Sequence, residues 1–284
     1  MPDQGTGTPT PTPTPSGLRG KRAREAPIDP LARRSPILFR LFHLYLRWYF
    51  YRSFHAVRIA RDGLPPAVAD RPLIIYSNHP SWWDPAVFIL LSAKLFPGRK
   101  AYGPIDSKAL RQYGLLERMG AFAVPQDDRR GAAIFLRTSL SVLARPLGML
   151  MVTAEGRFTD HRARPVVLRP GLAHLARRVP GAVILPLALE YGFWNESRAE
   201  MLMRFGPPVL PPPTDAVADW NQRLEAALTG TMSALAAQSM ARDANLFQPL
   251  MRGGAGVGGI YDVWRRLCAV LAGRRFDPSH EGER

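Results

Sequence analysis

A histidine and an aspartate, His79 and Asp84, stand five residues apart in the heptapeptide NHPSWWD, residues 78–84. A carboxylate that bonds one imidazole nitrogen orients the ring and leaves the other nitrogen free to take a proton near neutral pH. A separation of five is out of phase with one helix face, so the Pro80-Ser81 turn must fold back for the side chains to meet. Because no serine, threonine or cysteine of the motif is clearly placed as a nucleophile, the pair predicts a general base that activates the hydroxyl of a second substrate.

The same residues also have an ordinary structural interpretation. In that interpretation His79 packs beneath the end of a strand, and Asp84, which precedes Pro85, caps the N-terminus of a helix. A short pattern of this kind arises by chance often enough that the motif alone does not choose between the two.

The segments around the motif predict where it lies. Short apolar runs, bounded by turn residues, are typical of buried strands and occur at residues 73–76, 121–124, 149–153 and 183–189. Helical patterns alternate with them near residues 85–96, 106–119, 129–144 and 169–179, and a further helix is predicted at 215–238. This alternation predicts an α/β fold with a single mixed, largely parallel sheet flanked by helices. Ligands bind such sheets outside the carboxyl ends of the strands, where the motif is expected.

The charge balance limits the partners. The chain has 38 Lys and Arg residues against 23 Asp and Glu, a formal net charge of +15, which indicates an anionic partner. The arginines are dispersed and no recognition element accompanies them, so no specific nucleic acid is predicted. The single Cys268 excludes an internal disulfide framework, and the six histidines lack metal-ligand spacing, so no metal is predicted.

Residues 37–54 are the most apolar and aromatic segment of the chain. Arg40, His43, Arg47 and Tyr51 recur at spacings of three and four, which forms a stripe along one helix. Two arginines inside the window make a membrane-spanning helix costly. We therefore predict an interfacial helical segment at residues 33–60, with Arg40, Arg47 and Trp48 at the membrane surface. The alternative is a core helix of the folded domain.

The two ends of the chain differ from the rest in composition. Residues 1–32, a Thr-Pro repeat followed by a basic cluster, are predicted to be disordered, because they cannot bury enough apolar surface to fold. Residues 251–284 are predicted to be a glycine linker and a basic amphipathic segment, in which Tyr261, Trp264, Cys268 and Leu271 share one helix face. That face suits a membrane interface or packing on the domain. Residues 61–250 remain as the α/β domain.

Several polar segments follow the predicted strands in order, and together they resemble the motifs of the glycerolipid acyltransferases typified by 1-acylglycerol-3-phosphate acyltransferase. Asn78, His79 and Asp84 match the family's N-H-x4-D motif in full. Glu155-Gly156 match the start of its E-G-T-R motif, and residues 184–186 (ILP), which end in Pro186, resemble its apolar motif ending in proline. The resemblance covers residues 78 to about 187.

The resemblance implies an enzyme, a membrane-associated O-acyltransferase. It would move a fatty acyl group from a thioester of coenzyme A or acyl carrier protein to a hydroxyl of a lysophospholipid such as 1-acylglycerol-3-phosphate. His79 would be the general base and Asp84 its support, and Asn78, Glu155, Gly156 and Arg157 would bind substrate. A thioester is already activated, so neither a covalent intermediate nor a cofactor is expected. Backbone amides in the turn after Asn78 would stabilise the oxyanion.

The resemblance also implies a location and partners. The protein would lie on the cytoplasmic face of a membrane as a peripheral or monotopic protein. Its partners would be the anionic membrane surface, the lipid acceptor and the acyl thioester donor. Trp82, Trp83 and Pro186 would line the path of the acyl chain, with ordinary aromatic packing as the alternative for the two tryptophans.

Two departures from the family pattern concern the acceptor. Gln126 stands where the family's second motif has an arginine, and Arg157-Phe158 stand where its third motif has Thr-Arg. The family's two arginines are associated with the phosphate of the acceptor, so Arg157, Arg129 and Arg130 are the candidate replacements.

Arg129, Arg130 and Glu155 each have an alternative, structural interpretation. Arg129 and Arg130 would otherwise be a solvated helix start, and Glu155 would otherwise cap a helix or bond a neighbouring turn. If no arginine replaces the missing one, the acceptor is a non-phosphorylated lipid or glycolipid. A catalytically silent lipid-binding module is the alternative from another functional class.

Overall fold

A computed structural model of the chain describes residues 30–126, 128, 130–210 and 214–254, and residues 264, 267, 268, 270, 271 and 273 near the C-terminus. Residues 1–29, Arg129, Tyr261 and most of the predicted C-terminal segment lie outside the described residues, so what was predicted for them stays a prediction. Of the predicted C-terminal helix face, the described side chains of Trp264, Cys268 and Leu271 are exposed.

Within the described residues the chain forms eight strands, most of which are separated by α-helices. The strands are β1 Phe54–Ala60, β2 Leu73–Ser77, β3 Lys100–Asp106, β4 Ala121–Val124, β5 Gly148–Thr153, β6 Val183–Gly192, β7 Ala199–Phe205 and β8 Phe247–Arg252. The α-helices are α1 Pro30–Arg33, α2 Pro36–Ser53, α3 Asp84–Leu95, α4 Ser107–Gln112, α5 Leu115–Met119, α6 Arg130–Leu143, α7 Gly171–Ala176 and α8 Val217–Ala241.

All strands belong to one sheet in the order β4-β3-β5-β2-β6-β7-β1-β8. The pairs are parallel except β6 with β7 and β1 with β8, which are antiparallel. The predicted mixed, largely parallel sheet flanked by helices is therefore confirmed. Because β2, β5 and β6 are adjacent and parallel, their carboxyl ends meet at one edge of the sheet.

The core lies on both faces of the sheet, which explains the continuous apolar run of β2. Ile74 and Tyr76 pack on one face with α6, α7 and α8, whereas Leu73 and Ile75 pack on the other with α2 and α3. All four side chains are fully buried. A strand covered on both faces has little freedom to move, so the residue that follows it is well fixed in space.

The predicted N-terminal helix is present as α2. Ser35 caps it through a hydrogen bond from the Leu38 amide to Oγ, and Pro36 stands in its first turn. Leu46 and Phe50 are buried against the domain, so part of the helix is a core helix. The other side leaves large apolar and aromatic side chains exposed, and these are Ile37, Leu38, Leu41, Leu44, Tyr45, Trp48 and Tyr51.

Arg40 and Arg47 are exposed on α2, whereas His43 of the same stripe is half-buried. Among the described residues, no helix is both long and apolar enough to cross a membrane. Part of the segment predicted at residues 33–60 is a strand rather than a helix. Residues 54–60 form the fully buried β1, which carries the ion pair between Arg58 and Glu200 of β7.

Candidate active site

The side chains of His79 and Asp84 are hydrogen-bonded at the carboxyl end of β2. Nδ1 of the imidazole lies 2.6 Å from Oδ2 of Asp84, and the amide of Ser81 donates to the same oxygen over 3.3 Å. The turn at Pro80-Ser81 therefore folds back, as the spacing required. With the proton on Nδ1, the Nε2 lone pair is free to accept a proton from a bound molecule.

Asp84 has no exposed surface and is the first residue of α3, where Trp83 is the capping residue. Its carboxylate bonds His79 and therefore does not act as the helix cap of the alternative interpretation. Burial raises the pKa of Asp84, while hydrogen bonds from His79 and Tyr191 oppose this rise because they favour the charged form. The Tyr191 hydroxyl donates to Oδ1 over 2.7 Å. Burial and the adjacent carboxyl raise the pKa of Tyr191 well above its usual value, so this phenol keeps its proton.

The segment after β5 holds the backbone of His79. Oε2 of Glu155, a residue that is 7% exposed, accepts the His79 amide over 3.0 Å. The Thr159 amide donates to the His79 carbonyl over 3.0 Å. The ring of Phe158 lies 4.3 Å from the imidazole, centroid to centroid, and is itself exposed. Glu155 thus bonds a neighbouring turn, as its structural alternative proposed, and that turn is the one that carries the histidine.

Asn78 holds the ends of two strands together. Its Nδ2 donates to the Leu189 carbonyl over 2.9 Å, and its Oδ1 accepts the Leu189 amide over 2.8 Å. The side chain is fully buried. Both of its polar groups are therefore engaged inside the protein, so Asn78 joins the two strands, and its predicted role as a substrate ligand stays a prediction.

An arginine that belongs to no motif lies across Gly156. Arg169 donates from Nη2 to Oε1 of Gln126 over 3.1 Å and to the Gly156 carbonyl over 3.3 Å. Gly156 has a φ of +65°, and a β-carbon there would collide with the Arg169 guanidinium. The left-handed backbone conformation therefore favours glycine, and the guanidinium of Arg169 contacts Gln126, the residue that stands where the family has an arginine.

Residues 56–190 match a family model described as Acyltransferase. These residues form a domain of the glycerolipid acyltransferase family. No match was found among curated proteins. The protein is thus a transferase that acylates lipids, which argues against the catalytically silent module. The matched range contains His79, Asp84 and Glu155 and ends one residue before Tyr191.

The other candidate arginines of the acyltransferase, Arg157 and Arg130, do not make the contacts that Arg169 makes with Gln126 and Gly156. Arg157 is exposed, and its guanidinium has no hydrogen-bond partner within the part of the chain that the structure describes. Arg130 begins α6, where its amide bonds the Asp128 carboxylate over 2.8 Å, which fits the solvated helix start of the alternative interpretation.

Of the three candidates for the acyl path of the acyltransferase, Trp82 and Trp83 lie together and Pro186 lies apart from them. Trp82 is 62% exposed and its ring lies 4.8 Å from that of Trp83, which also contacts Phe54 at 4.9 Å. Trp83 therefore packs against the domain, as its alternative proposed. Pro186 is buried in β6 near Gly206 and belongs to the face covered by α8, whereas Trp83 packs on the face of α2 and α3. Pro186 and Trp83 thus cannot line one continuous path along a single face.

The turn after Asn78 has few amides left for an oxyanion. The amides of His79 and Ser81 bond the side chains of Glu155 and Asp84, and that of Trp83 bonds Oγ of Ser81. Pro80 has no amide hydrogen, and the Asp84 amide bonds the Ser81 carbonyl. Within residues 79–84 this leaves the Trp82 amide as the available donor.

Tyr191 and Arg169 are the site residues of the acyltransferase that sequence reasoning missed. Tyr191 lies two residues beyond the strand predicted at 183–189, so its position at a strand end was an available signal. For Arg169 we find no comparable signal in the sequence. No cluster of His, Cys, Asp and Glu side chains within the described residues could hold a metal ion, and the absence of a metal stays a prediction.

Proposed function

We propose that this acyltransferase moves a fatty acyl group from an acyl thioester, carried by coenzyme A or acyl carrier protein, to the free hydroxyl of a lysophospholipid such as 1-acylglycerol-3-phosphate. The observation that carries the proposal is the 2.6 Å hydrogen bond between His79 and Asp84 at the carboxyl end of β2, inside the matched domain. A histidine with one nitrogen held by a carboxylate and the other free is the arrangement that a general base needs.

The proposed reaction needs no further protein nucleophile. Nε2 of His79 takes the proton of the acceptor hydroxyl while its oxygen attacks the thioester carbonyl carbon, and Asp84 stabilises the imidazolium that forms. The tetrahedral intermediate then breaks its carbon–sulfur bond, and the imidazolium returns its proton to the departing thiolate. The products are the ester and the free thiol, so atoms and protons balance without a cofactor.

A phosphate on the acceptor would meet arginine at this site. Arg157 directly follows Gly156 and has an exposed guanidinium, and Arg169 lies across Gly156. Arginine binds phosphate oxygens in a bidentate geometry, and the net charge of +15 favours an anionic substrate. We therefore assign the acceptor's phosphate to Arg157 and Arg169 rather than to Arg130.

One observation favours a non-phosphorylated lipid or glycolipid as the second candidate acceptor. Nη2 of Arg169 is already bonded to Gln126 and to the Gly156 carbonyl, and Gln126 replaces an arginine. A phosphate would have to displace these contacts, whereas a neutral acceptor would leave them intact.

We further propose that α2 docks the enzyme on the cytoplasmic face of an anionic membrane as a peripheral or monotopic protein. Leu41, Leu44 and Trp48 on α2 are between 53% and 58% exposed, and Arg40 and Arg47 flank them. Apolar side chains with adjacent arginines are typical of a helix that lies in the membrane interface.

Aromatic contacts connect the proposed docking face to the histidine turn. Ring centroids are 5.8 Å apart for Tyr45 and Tyr49, 4.9 Å for Tyr49 and Trp83, and 4.8 Å for Trp83 and Trp82. An acceptor whose acyl chain stays in the bilayer would reach His79 along this side of the domain.

The proposal is tested by thiol release from palmitoyl-coenzyme A and from palmitoyl-acyl carrier protein. Lysophosphatidic acid, a lysophospholipid with a larger headgroup and monoacylglycerol are compared as acceptors, with His79→Ala as the control. Release with lysophosphatidic acid that is lost in the variant is the expected result. Release restricted to monoacylglycerol would keep the mechanism and replace the acceptor, and full release by a folded His79→Ala protein would refute the assigned base.

A further inference from the structure

The Asp84 carboxylate has a third partner that lies outside every motif of the chain. Tyr191, near the end of β6, donates its hydroxyl proton to Oδ1 of Asp84 over 2.7 Å. We infer that Tyr191 is a positioning residue, which orients the Asp84 carboxylate so that Oδ2 faces Nδ1 of His79. The inference rests on the proposed role of His79 as the base.

The two oxygens of Asp84 are divided between different donors. Oδ2 accepts from His79 and from the Ser81 amide, while Oδ1 accepts from Tyr191. Because Asp84 has no exposed surface, water does not replace a lost donor at either oxygen without a structural change. Without the phenol, Oδ1 would be a buried anionic oxygen without a partner, and the carboxylate would gain by rotating it toward another donor.

Tyr191 is itself held in place by the sheet. It pairs with Met201 of β7, and its ring centroid lies 6.0 Å from that of Phe54 in β1. Two residues earlier in β6, Leu189 is bonded to the Asn78 side chain. The phenol is therefore fixed relative to the turn that carries His79, which a positioning role requires.

The hydrogen bond also bears on the proton affinity of the dyad formed by His79 and Asp84. A donor to the carboxylate favours its charged form and opposes the rise in the pKa of Asp84 that burial causes. Without this donor the dyad binds a proton more tightly, whether the proton is placed on the imidazole or on the carboxyl. The dyad then stays protonated to higher pH, so the acid limb of the kcat/KM profile moves to higher pH.

Other titratable groups around the dyad stay unchanged when the Tyr191 hydroxyl is removed. They are Glu155 beneath the His79 amide, His161 with Glu190 on the β6 side, His55 with Glu200 on β1 and β7, and His43, Arg47 and Lys94 between α2 and the far end of α3. A shift of the profile in a variant that lacks only the hydroxyl is thus attributable to Asp84 and His79.

The test compares Tyr191→Phe with Tyr76→Phe. Tyr76 is a matched control, because its fully buried hydroxyl also makes one hydrogen bond, to the Leu224 carbonyl over 3.0 Å, on the other face of the same sheet. For Tyr191→Phe we expect kcat to fall roughly tenfold, since the lost hydrogen bond is made to a charged group. We expect the acid limb of kcat/KM to move up by about one pH unit, with KM for both substrates nearly unchanged. Tyr76→Phe should reproduce any loss of thermal stability but leave the profile in place.

A second measurement makes the result independent of turnover. Protonation of the dyad is followed by NMR through the ring resonances of His79, which are assigned by their absence in His79→Ala, and the midpoint for the dyad should be higher in Tyr191→Phe. Coincident titrations and pH profiles for wild type, Tyr191→Phe and Tyr76→Phe would overturn the positioning role. That outcome is distinct from failure of the proposed function, which would appear as an active His79→Ala protein.

Discussion

The turn after β2 and the segment after β5 lie at the same edge of the sheet but are built in different ways. In the turn after β2, His79 and Asp84 are five residues apart, and the carboxylate is fully buried with a donor on each oxygen. In the segment after β5, Arg157 and Arg169 are exposed, and Arg169 bonds Gln126, which is 43 residues away in the chain. The comparison indicates that a short turn brings His79 and Asp84 together, whereas the contact of Arg169 with Gln126 joins segments that are far apart in the chain.

The sharpest test of this comparison is to remove the base. His79→Ala should lower kcat by roughly 10³-fold, the range expected for loss of a positioned general base. The exposed His174 on α7 gives a matched control, and His174→Ala should retain wild-type turnover. Thiol release under saturating donor measures both. A folded His79→Ala enzyme within tenfold of wild type would show that the proton is taken elsewhere.

Asp84→Asn keeps the size of the side chain but removes its charge, so imidazolium is no longer stabilised. We expect roughly a hundredfold loss of kcat.

The same substitution should make the protein more stable relative to wild type at neutral pH. Because burial raises the pKa of Asp84 above its usual value of 3.8, the folded protein binds this proton more tightly than the unfolded chain does. The contribution of Asp84 to stability is therefore present at low pH and is lost as pH rises through its folded pKa.

The free energy of unfolding of Asp84→Asn should accordingly improve relative to wild type as pH rises from about 4 toward 7. Denaturant unfolding of both proteins across this range measures the difference. A gap between the two curves that stays constant with pH would contradict the assignment of a raised pKa to the buried carboxyl.

Arg169→Gln tests the region after β5. If this guanidinium binds the acceptor's phosphate, KM for lysophosphatidic acid should rise roughly tenfold, while KM for monoacylglycerol stays the same. Arg177→Gln is the matched control, because Arg177 is exposed at the end of α7 and contributes to none of the contacts around Gly156. Equal effects of Arg169→Gln on both acceptors would assign Arg169 a structural role and favour the non-phosphorylated acceptor.

The smallest expected effect concerns membrane docking. Leu41→Ala on the exposed face of α2 should weaken binding to anionic vesicles several-fold, because a side chain that is only partly buried in the interface loses only part of the about 0.8 kcal/mol that each fully buried methylene group contributes. Leu64→Ala is the control, since Leu64 is 45% exposed but does not belong to α2. Vesicle sedimentation measures both variants, and identical binding would move the docking surface away from α2.

Sequence reasoning succeeded where structure follows from local pattern. β2, β4 and β5 coincide with predicted apolar runs to within one residue at each end, and β2 and β5 are continuously apolar because both of their faces are covered. The pairing of His79 with Asp84 was also predicted, since five residues and a turn determine it.

Sequence reasoning failed where the structure of a segment, or the role of a residue, depends on a partner far away in the chain. No turn residue separates β1 from the aromatic segment of α2. The sequence therefore predicted that the helix continues through the residues of β1. β7 carries Glu200 in its interior, which becomes intelligible only with Arg58 of β1, 142 residues away. Tyr191 and Arg169 stand out only because they contact Asp84 and Gln126. Local sequence patterns do not reveal contacts between residues so far apart in the chain.

The amide of Asn78 has a consequence for how the site keeps its dimensions. By donating to and accepting from Leu189, it forms the pair of bonds that two facing residues of an antiparallel ladder exchange, although β2 and β6 are parallel. An aspartate could accept but not donate there, and a glutamine would be one methylene too long. The asparagine of the motif thus holds the turn that carries His79 at a fixed distance from the end of β6 that carries Tyr191. Thermal motion of one is therefore coupled to thermal motion of the other. The two can move together, but they separate only by breaking both bonds.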